Sequence, residues 1–107
     1  MTTFDKREDA FEMRFAHDEE LKFKATARRN KMLGLWAAEK LGLSGAEADS
    51  YALGVVMAEF ESGADSDVMH KIRKDFDAKG IAQSDHQIAR TMSEFMARAV
   101  ADIKSAQ

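Results

Sequence analysis

The stretch Leu21–Leu43, LKFKATARRNKMLGLWAAEKLGL, decides the fold. It holds the only Trp, Trp36, and five basic residues, Lys22, Lys24, Arg28, Arg29 and Lys31, with no acid among them. Leu21, Ala25, Met32, Trp36 and Leu43 recur with the period of an α-helix and form one apolar stripe. Gly42 fits the position just past a helix end, where a left-handed residue closes the last turn. The stretch therefore reads as one long helix. Its second half anchors a small bundle, and its first half carries the upstream segment towards a partner. Trp36 is expected in the core, where truncation to Ala would cost about 3–5 kcal/mol.

Upstream, Thr2 or Thr3 suits the N-cap of a helix that includes Phe4, with Asp5, Glu8 and Asp9 at its positive end. Phe4, Phe11 and Phe15 form a stripe whose surroundings are almost entirely charged. At about 100° per residue this stripe is rotated by roughly 70° from the one through Leu21 and Trp36. His17-Asp18-Glu19-Glu20 lies between the two. The Phe stripe reads either as core or as a partner-binding helix, and its terminal position favours a segment that stays mobile until it docks. Residues 1–20 are accordingly expected to form a mobile N-terminal segment, and residues 21–107 a globular unit.

Downstream, Ser44-Gly45-Ala46-Glu47 has the spacing of a capping box, so loss of Ser44 would cost about 1 kcal/mol. A second helix runs to about Phe60 and buries Ala48, Tyr51, Ala52, Val55, Val56 and Phe60. Gly54 inside it is expected to mark a close helix–helix approach. Asp65 or Ser66 caps a third helix, with Val68, Met69, Ile72 and Phe76 inward and Gly80 past its end. Ser84-Asp85-His86-Gln87 forms a second capping box before a helix carrying Ile88, Met92, Phe95, Met96, Ala99, Val100 and Ile103 inward. The expected class is all-α: a small four-helix bundle-like fold with a long first helix.

Composition narrows the function. At 107 residues the chain suits one domain with one modest core, and its charge of −3 gives no overall basicity for nucleic acid. The absence of Cys removes disulfides, thiolate catalysis and Cys-ligated metals together. No apolar run approaches the roughly 20 residues that span a bilayer, and MTTFDKRED lacks the apolar centre of a secretory signal. The expected location is the cytoplasm, without direct membrane insertion.

No nucleotide-binding or catalytic motif is present, and nothing gathers Asp18, Glu19 and Glu20 into a desolvated acid, so the chain does not read as an enzyme. His70 and His86 read as surface residues, whereas His17 beside three carboxylates is a conceivable pH-sensitive contact. The run Lys22–Lys31 offers a competing reading as a nucleotide- or RNA-binding module. Its charges, however, are dispersed around the helix and Phe23 is the only aromatic among them. Pairs such as Asp18–Lys22 and Glu20–Lys24 support the helix more simply, leaving Arg28 and Arg29 for an acidic partner surface. A third reading is a self-associating scaffold with the Phe stripe as its seam.

FDKREDAFEMRFAHDEELKFKATARRNKMLGLWAAEKLGLSG resembles the N-terminal half of the alphaproteobacterial ATPase inhibitor zeta subunit family, long treated as a domain of unknown function. The resemblance continues more loosely through YALGVVMAEFE, DSDVMHKIRKDFD and SDHQI, and so covers essentially the whole chain. It implies a non-enzymatic regulatory subunit of the F-type ATP synthase that blocks ATP hydrolysis. Its N-terminal segment would enter between catalytic subunits near the rotor stalk, while the helical remainder anchors it. Carried over by position, the inhibitory region is about Met1–Glu19. Phe4, Asp5, Arg7, Glu8, Phe11, Arg14 and Phe15 make up the matching motif; His17, Arg28 and Arg29 are expected as secondary contacts from their own chemistry, not from the resemblance. The resemblance further implies a protein held at the inner membrane through the synthase. No cofactor or metal is expected beyond weak nucleotide binding without a placed site, and the free chain is expected to be a monomer.

Overall fold

The structure, a computed structural model, describes the backbone of residues 3–106 and the side chains of residues 19–106. Four helices follow one another: α1 (Thr3–Lys40), α2 (Gly45–Ser62), α3 (Asp65–Lys79) and α4 (Asp85–Ala106). No Pro interrupts any of them. The ends of α1 and α3 are sealed alike. At Gly42, φ is +81° and the Leu43 amide donates to the Ala38 carbonyl; at Gly80, φ is +70° and the Ile81 amide donates to the Phe76 carbonyl. Both are Schellman closures, with an apolar residue following the Gly.

The two expected capping boxes behave differently. At α4 the Gln87 amide donates to Ser84 Oγ at 3.1 Å, and the Ser84 amide donates to Gln87 Oε1 at 2.8 Å, completing the reciprocal pair. At α2, Ser44 occupies the N-cap but makes no capping hydrogen bond. The next residue, Gly45, is left-handed at φ +57°, which turns the chain before the Ser hydroxyl lines up with the first-turn amides. Asp65 does not cap α3 either; Ala64 holds that position, and the Asp65 carboxylate is directed at α1.

Helices α1 and α2 run antiparallel: Gly34 meets Ala52 near one end and Phe23 meets Phe60 near the other. Gly34 is where the backbones come closest. A Cβ there would lie 2.6 Å from Ala52 Cα, whereas one on Gly54 would meet only Lys71 Cε at 3.7 Å. The close approach expected at Gly54 belongs to Gly34. Helix α4 packs along α1 in the opposite sense, since Arg28 reaches Asp102 while Leu33 and Ala37 share the core with Ile88 and Met92.

The core joins Leu33, Ala37, Val55, Val68, Ile72, Phe76, Ile88 and Met92. Trp36 is half-buried at its edge, packing edge-on against Phe76 with centroids 5.7 Å apart, rather than enclosed as expected. Among the described residues of α1, Ala25, Arg29, Asn30, Leu33, Gly34, Ala37 and Ala38 are buried, an arc wider than the expected stripe and centred elsewhere. Two helices cover α1, so α2 and α4 bury adjoining faces, and Leu21, Met32, Trp36 and Leu43 fall on its margin.

Polar clips fix the remaining contacts. Tyr51 of α2 donates to Asp75 of α3 at 2.7 Å, and Lys71 reaches the same carboxylate at 3.3 Å. Arg73 donates to the Gln83 carbonyl and pairs with Asp77 and Asp85, closing the α3–α4 loop.

Candidate partner-binding surface

Arg29 is the one position of the basic run that the bundle keeps for itself. It is only 3 % exposed, and neighbouring Asn30 is buried with it. Its Nη2 donates to Glu59 Oε1 at 2.7 Å and to Asp65 Oδ1 at 2.9 Å, while Nη1 donates to Asp65 Oδ2 at 3.3 Å. Nε donates to Asn30 Oδ1 at 3.0 Å, and Asn30 Nδ2 donates to Glu59 Oε1 at 3.2 Å. One planar guanidinium thus ties α1 to the end of α2 and the start of α3, the fork geometry that Lys cannot supply.

The two carboxylates differ. Burial pushes the Glu59 carboxyl above its ordinary value, with the nearby Asp65 charge adding to the rise. Hydrogen bonds from Arg29 hold Asp65 below its own. Among the described residues no buried side-chain polar atom lacks a partner.

This cluster forms part of a groove between α1 and α2. Phe23, Thr26, Ala27 and Asn30 line one wall, and Val56, Glu59, Phe60 and Gly63 line the other, around a volume of about 280 Å³. Phe23 and Phe60 stand at its rim, 60 % and 65 % exposed, with their rings edge-to-face at 6.2 Å. Leu53 and Met57 continue the exposed apolar surface along α2. On the other side of α1, Leu21, Ala25, Met96, Val100 and Ile103 line a second groove of about 470 Å³, with Glu19, Lys22 and Lys104 also in its lining. Both grooves lie where α2 and α4 end against α1, beside the point from which residues 3–18 continue the helix.

The residues expected to carry function separate into three groups. Phe4, Asp5, Arg7, Glu8, Phe11, Arg14, Phe15 and His17 lie outside the described side chains. Arg28 is exposed and spans to Asp102 of α4 at 3.2 Å. Arg29 is not a surface contact at all, because its guanidinium is consumed by Glu59 and Asp65. That burial also splits the basic run, leaving Lys22, Lys24 and Lys31 exposed on α1, with Lys24 paired to Glu20 at 3.5 Å. His70 and His86 are exposed, as expected. Among the described residues no cluster of potential metal ligands occurs, and no helix is long and apolar enough to cross a membrane.

Sequence reasoning missed the groove because it assigned Phe60 to the core; Phe60 projects to solvent beside Phe23. The Phe stripe, expected to be rotated from the stripe through Leu21 and Trp36, lies outside the described side chains.

Among solved structures, one determined by solution NMR superposes with a TM-score of 0.70 at 42 % identity, covering 81 % of this chain and 99 % of that one. A comparison with curated proteins finds no match. Residues 1–102, nearly the whole chain and including the Phe-striped start of α1, match the family described as ATPase inhibitor subunit zeta. The chain belongs to the ATPase inhibitor subunit zeta family.

Proposed function

We propose that this protein is a regulatory subunit that binds the catalytic sector of the F-type ATP synthase and blocks ATP hydrolysis, without chemistry of its own. The observation that carries the reading is the family match, which includes the N-terminal segment together with the bundle. The architecture is consistent with a division of labour. The second half of α1 is clamped through Arg29 and Leu33, whereas residues 3–18 continue the same helix beyond the stretch where α2 and α4 end.

In this mechanism Phe4, Phe11 and Phe15 are the apolar anchors of a helix laid into a cleft between catalytic subunits, near the rotor stalk. Asp5, Arg7, Glu8 and Arg14 flank them and set orientation by pairing with charges of the cleft. A cleft that must open and close in each rotary step is stopped by a wedge alone, so inhibition requires binding energy and no reactive group.

The test is ATP hydrolysis by a purified alphaproteobacterial catalytic sector titrated with the full chain and with the variant Phe4→Ser/Phe11→Ser/Phe15→Ser. The wild-type chain should lower hydrolysis towards a plateau, and the variant should leave it near the uninhibited rate. Equal inhibition by both would refute the assignment of the inhibitory element. No inhibition by either would refute the function.

A further inference from the structure

Arg29 offers one positive charge to two carboxylates. Its Nη2 donates to Glu59 Oε1 at 2.7 Å and to Asp65 Oδ1 at 2.9 Å, so the two acids sit side by side on a single nitrogen. From α1 the Glu59 carboxyl faces Arg29 and Asn30, and from α3 it faces Asp65, while Lys22 of α1 acts on Asp65 from farther off. With both acids ionised, the guanidinium leaves one negative charge uncompensated at a joint where the Glu59 side chain is only 13 % exposed and that of Asp65 is 61 % exposed. Adjacent carboxylates that compete for one cation hold a proton between them, and the less hydrated one keeps it. We propose that Glu59 and Asp65 form such a proton-sharing acid pair on Arg29, and that loss of the proton frees the start of α3 from α1.

The difference in exposure determines which contact gives way. When the proton passes to solvent, Glu59 keeps the donors of Arg29 and Asn30, and Asp65 exchanges its share of the guanidinium for water. The corner that must move is held by short-range bonds. Gly63 lies in the left-handed region at φ +75° and its amide donates to the carbonyl of Glu59 itself, while the Ala64 amide donates to Ser62 Oγ at 3.2 Å. The Arg29–Asp65 pair is what ties this corner across to α1. Burial and the Asp65 charge raise the Glu59 carboxyl, so the closed joint is fully favoured below the unfolded value of about 4.3. That contribution is lost as pH rises through the folded value, and the joint therefore loosens towards higher pH.

An NMR pH titration of the full chain tests the proposal without any partner protein. It follows the carboxyl carbons of Glu59 and Asp65, and the amide-exchange protection of residues 63–67 corrected for intrinsic exchange at each pH. Glu59 should titrate above about 4.3, and the Asp65 carbon should move in the same step. Protection at Asp67, whose amide donates to the Ala64 carbonyl, should fall by about tenfold through that step. A Glu59 midpoint at or below about 4.3 overturns the proposal, and so does protection that is equal on both sides of the step. Asp65→Asn keeps an oxygen for Arg29 and removes the competing charge. It should bring the Glu59 midpoint down to about 4.3 or lower, and a midpoint that stays in place overturns the sharing. Glu59→Gln should hold the corner at one level of protection across the same range, and a wild-type pH dependence in that variant assigns the release to another group and overturns the proposal. The wild-type titration decides the first two outcomes by itself, whatever the variants do to the fold.

Discussion

Gly34→Ala is the substitution for which the structure makes the sharpest demand. The added methyl would sit 2.6 Å from Ala52 Cα, 3.0 Å from its Cβ and 3.3 Å from its carbonyl oxygen. Carbon atoms rest at about 3.5–4.0 Å, so α1 and α2 must part by about 1 Å. The obstruction is backbone and cannot swing aside. Overpacking of this kind costs about 1–3 kcal/mol, and three short contacts on a rigid helix belong at the upper end. Against that stands the better helix propensity of Ala over Gly, about 1 kcal/mol. The net expectation is a loss of about 2 kcal/mol, or a fall in Tm of about 10 °C for a domain of this size.

Gly54→Ala supplies the control. Its methyl meets only the flexible end of Lys71, at 3.7 Å, so the propensity gain stands alone and stability should rise by up to about 1 kcal/mol. Urea denaturation followed by helical circular dichroism measures both. A Gly34→Ala protein as stable as the wild type would mean that α1 and α2 do not touch at Ala52.

Arg29→Met removes every donor that joins Glu59 to Asp65, leaving only Asn30 Nδ2 on Glu59, and should cost about 3 kcal/mol, the lower end for a broken buried pair because Asp65 reaches solvent; a denaturation midpoint within error of the wild type would refute the clamp. Ser84→Ala should cost about 1 kcal/mol and Ser44→Ala at most a few tenths, since only the first hydroxyl accepts a capping bond, and equal losses would contradict the difference between the two helix starts. The lowered Asp65 carboxyl stabilises the fold above the unfolded value of about 3.9, a contribution lost as pH falls through its folded value. The raised Glu59 carboxyl works in the other sense, stabilising below about pH 4.3 and losing that contribution as pH rises through its folded value. Glu59→Gln keeps an oxygen for Arg29 and Asn30 but cannot ionise, so urea midpoints across pH 3–8 should lose the decline above about pH 4.3; a curve parallel to the wild type would place the proton elsewhere.

The helices and most of their ends were legible because they follow from local chemistry. Apolar periodicity, Gly42 and Gly80 past two helix ends, and the Ser84–Gln87 pair depend on residues a few positions apart. What was not legible depends on residues far apart. Gly34 and Gly54 are alike in sequence, and only the register of α1 against α2 determines which one faces a backbone. Arg29 reads as a surface cation because the acids that neutralise it lie 30 and 36 positions away. Helix α2 offers apolar residues around much of its circumference, from Tyr51, Ala52 and Leu53 to Val55, Val56, Met57 and Phe60. Periodicity therefore could not say that Leu53, Met57 and Phe60 face outward. The placement of Phe4, Phe11 and Phe15 in the inhibitory element came from family resemblance, with the apolar stripe as its only physical support.

The clamp and the groove are two sides of one arrangement. Asn30 and Glu59 belong to the Arg29 network and also line the groove beneath Phe23 and Phe60. Asp65, the first residue of α3, is drawn onto Arg29, and Gly63 just before it turns the chain in the left-handed region, at φ +75°. The chain thus leaves α2 two residues after Phe60, and the core that α3 builds through Val68, Ile72 and Phe76 lies on the other face of α2. A single substitution of Arg29 would therefore disturb both stability and the shape of the groove.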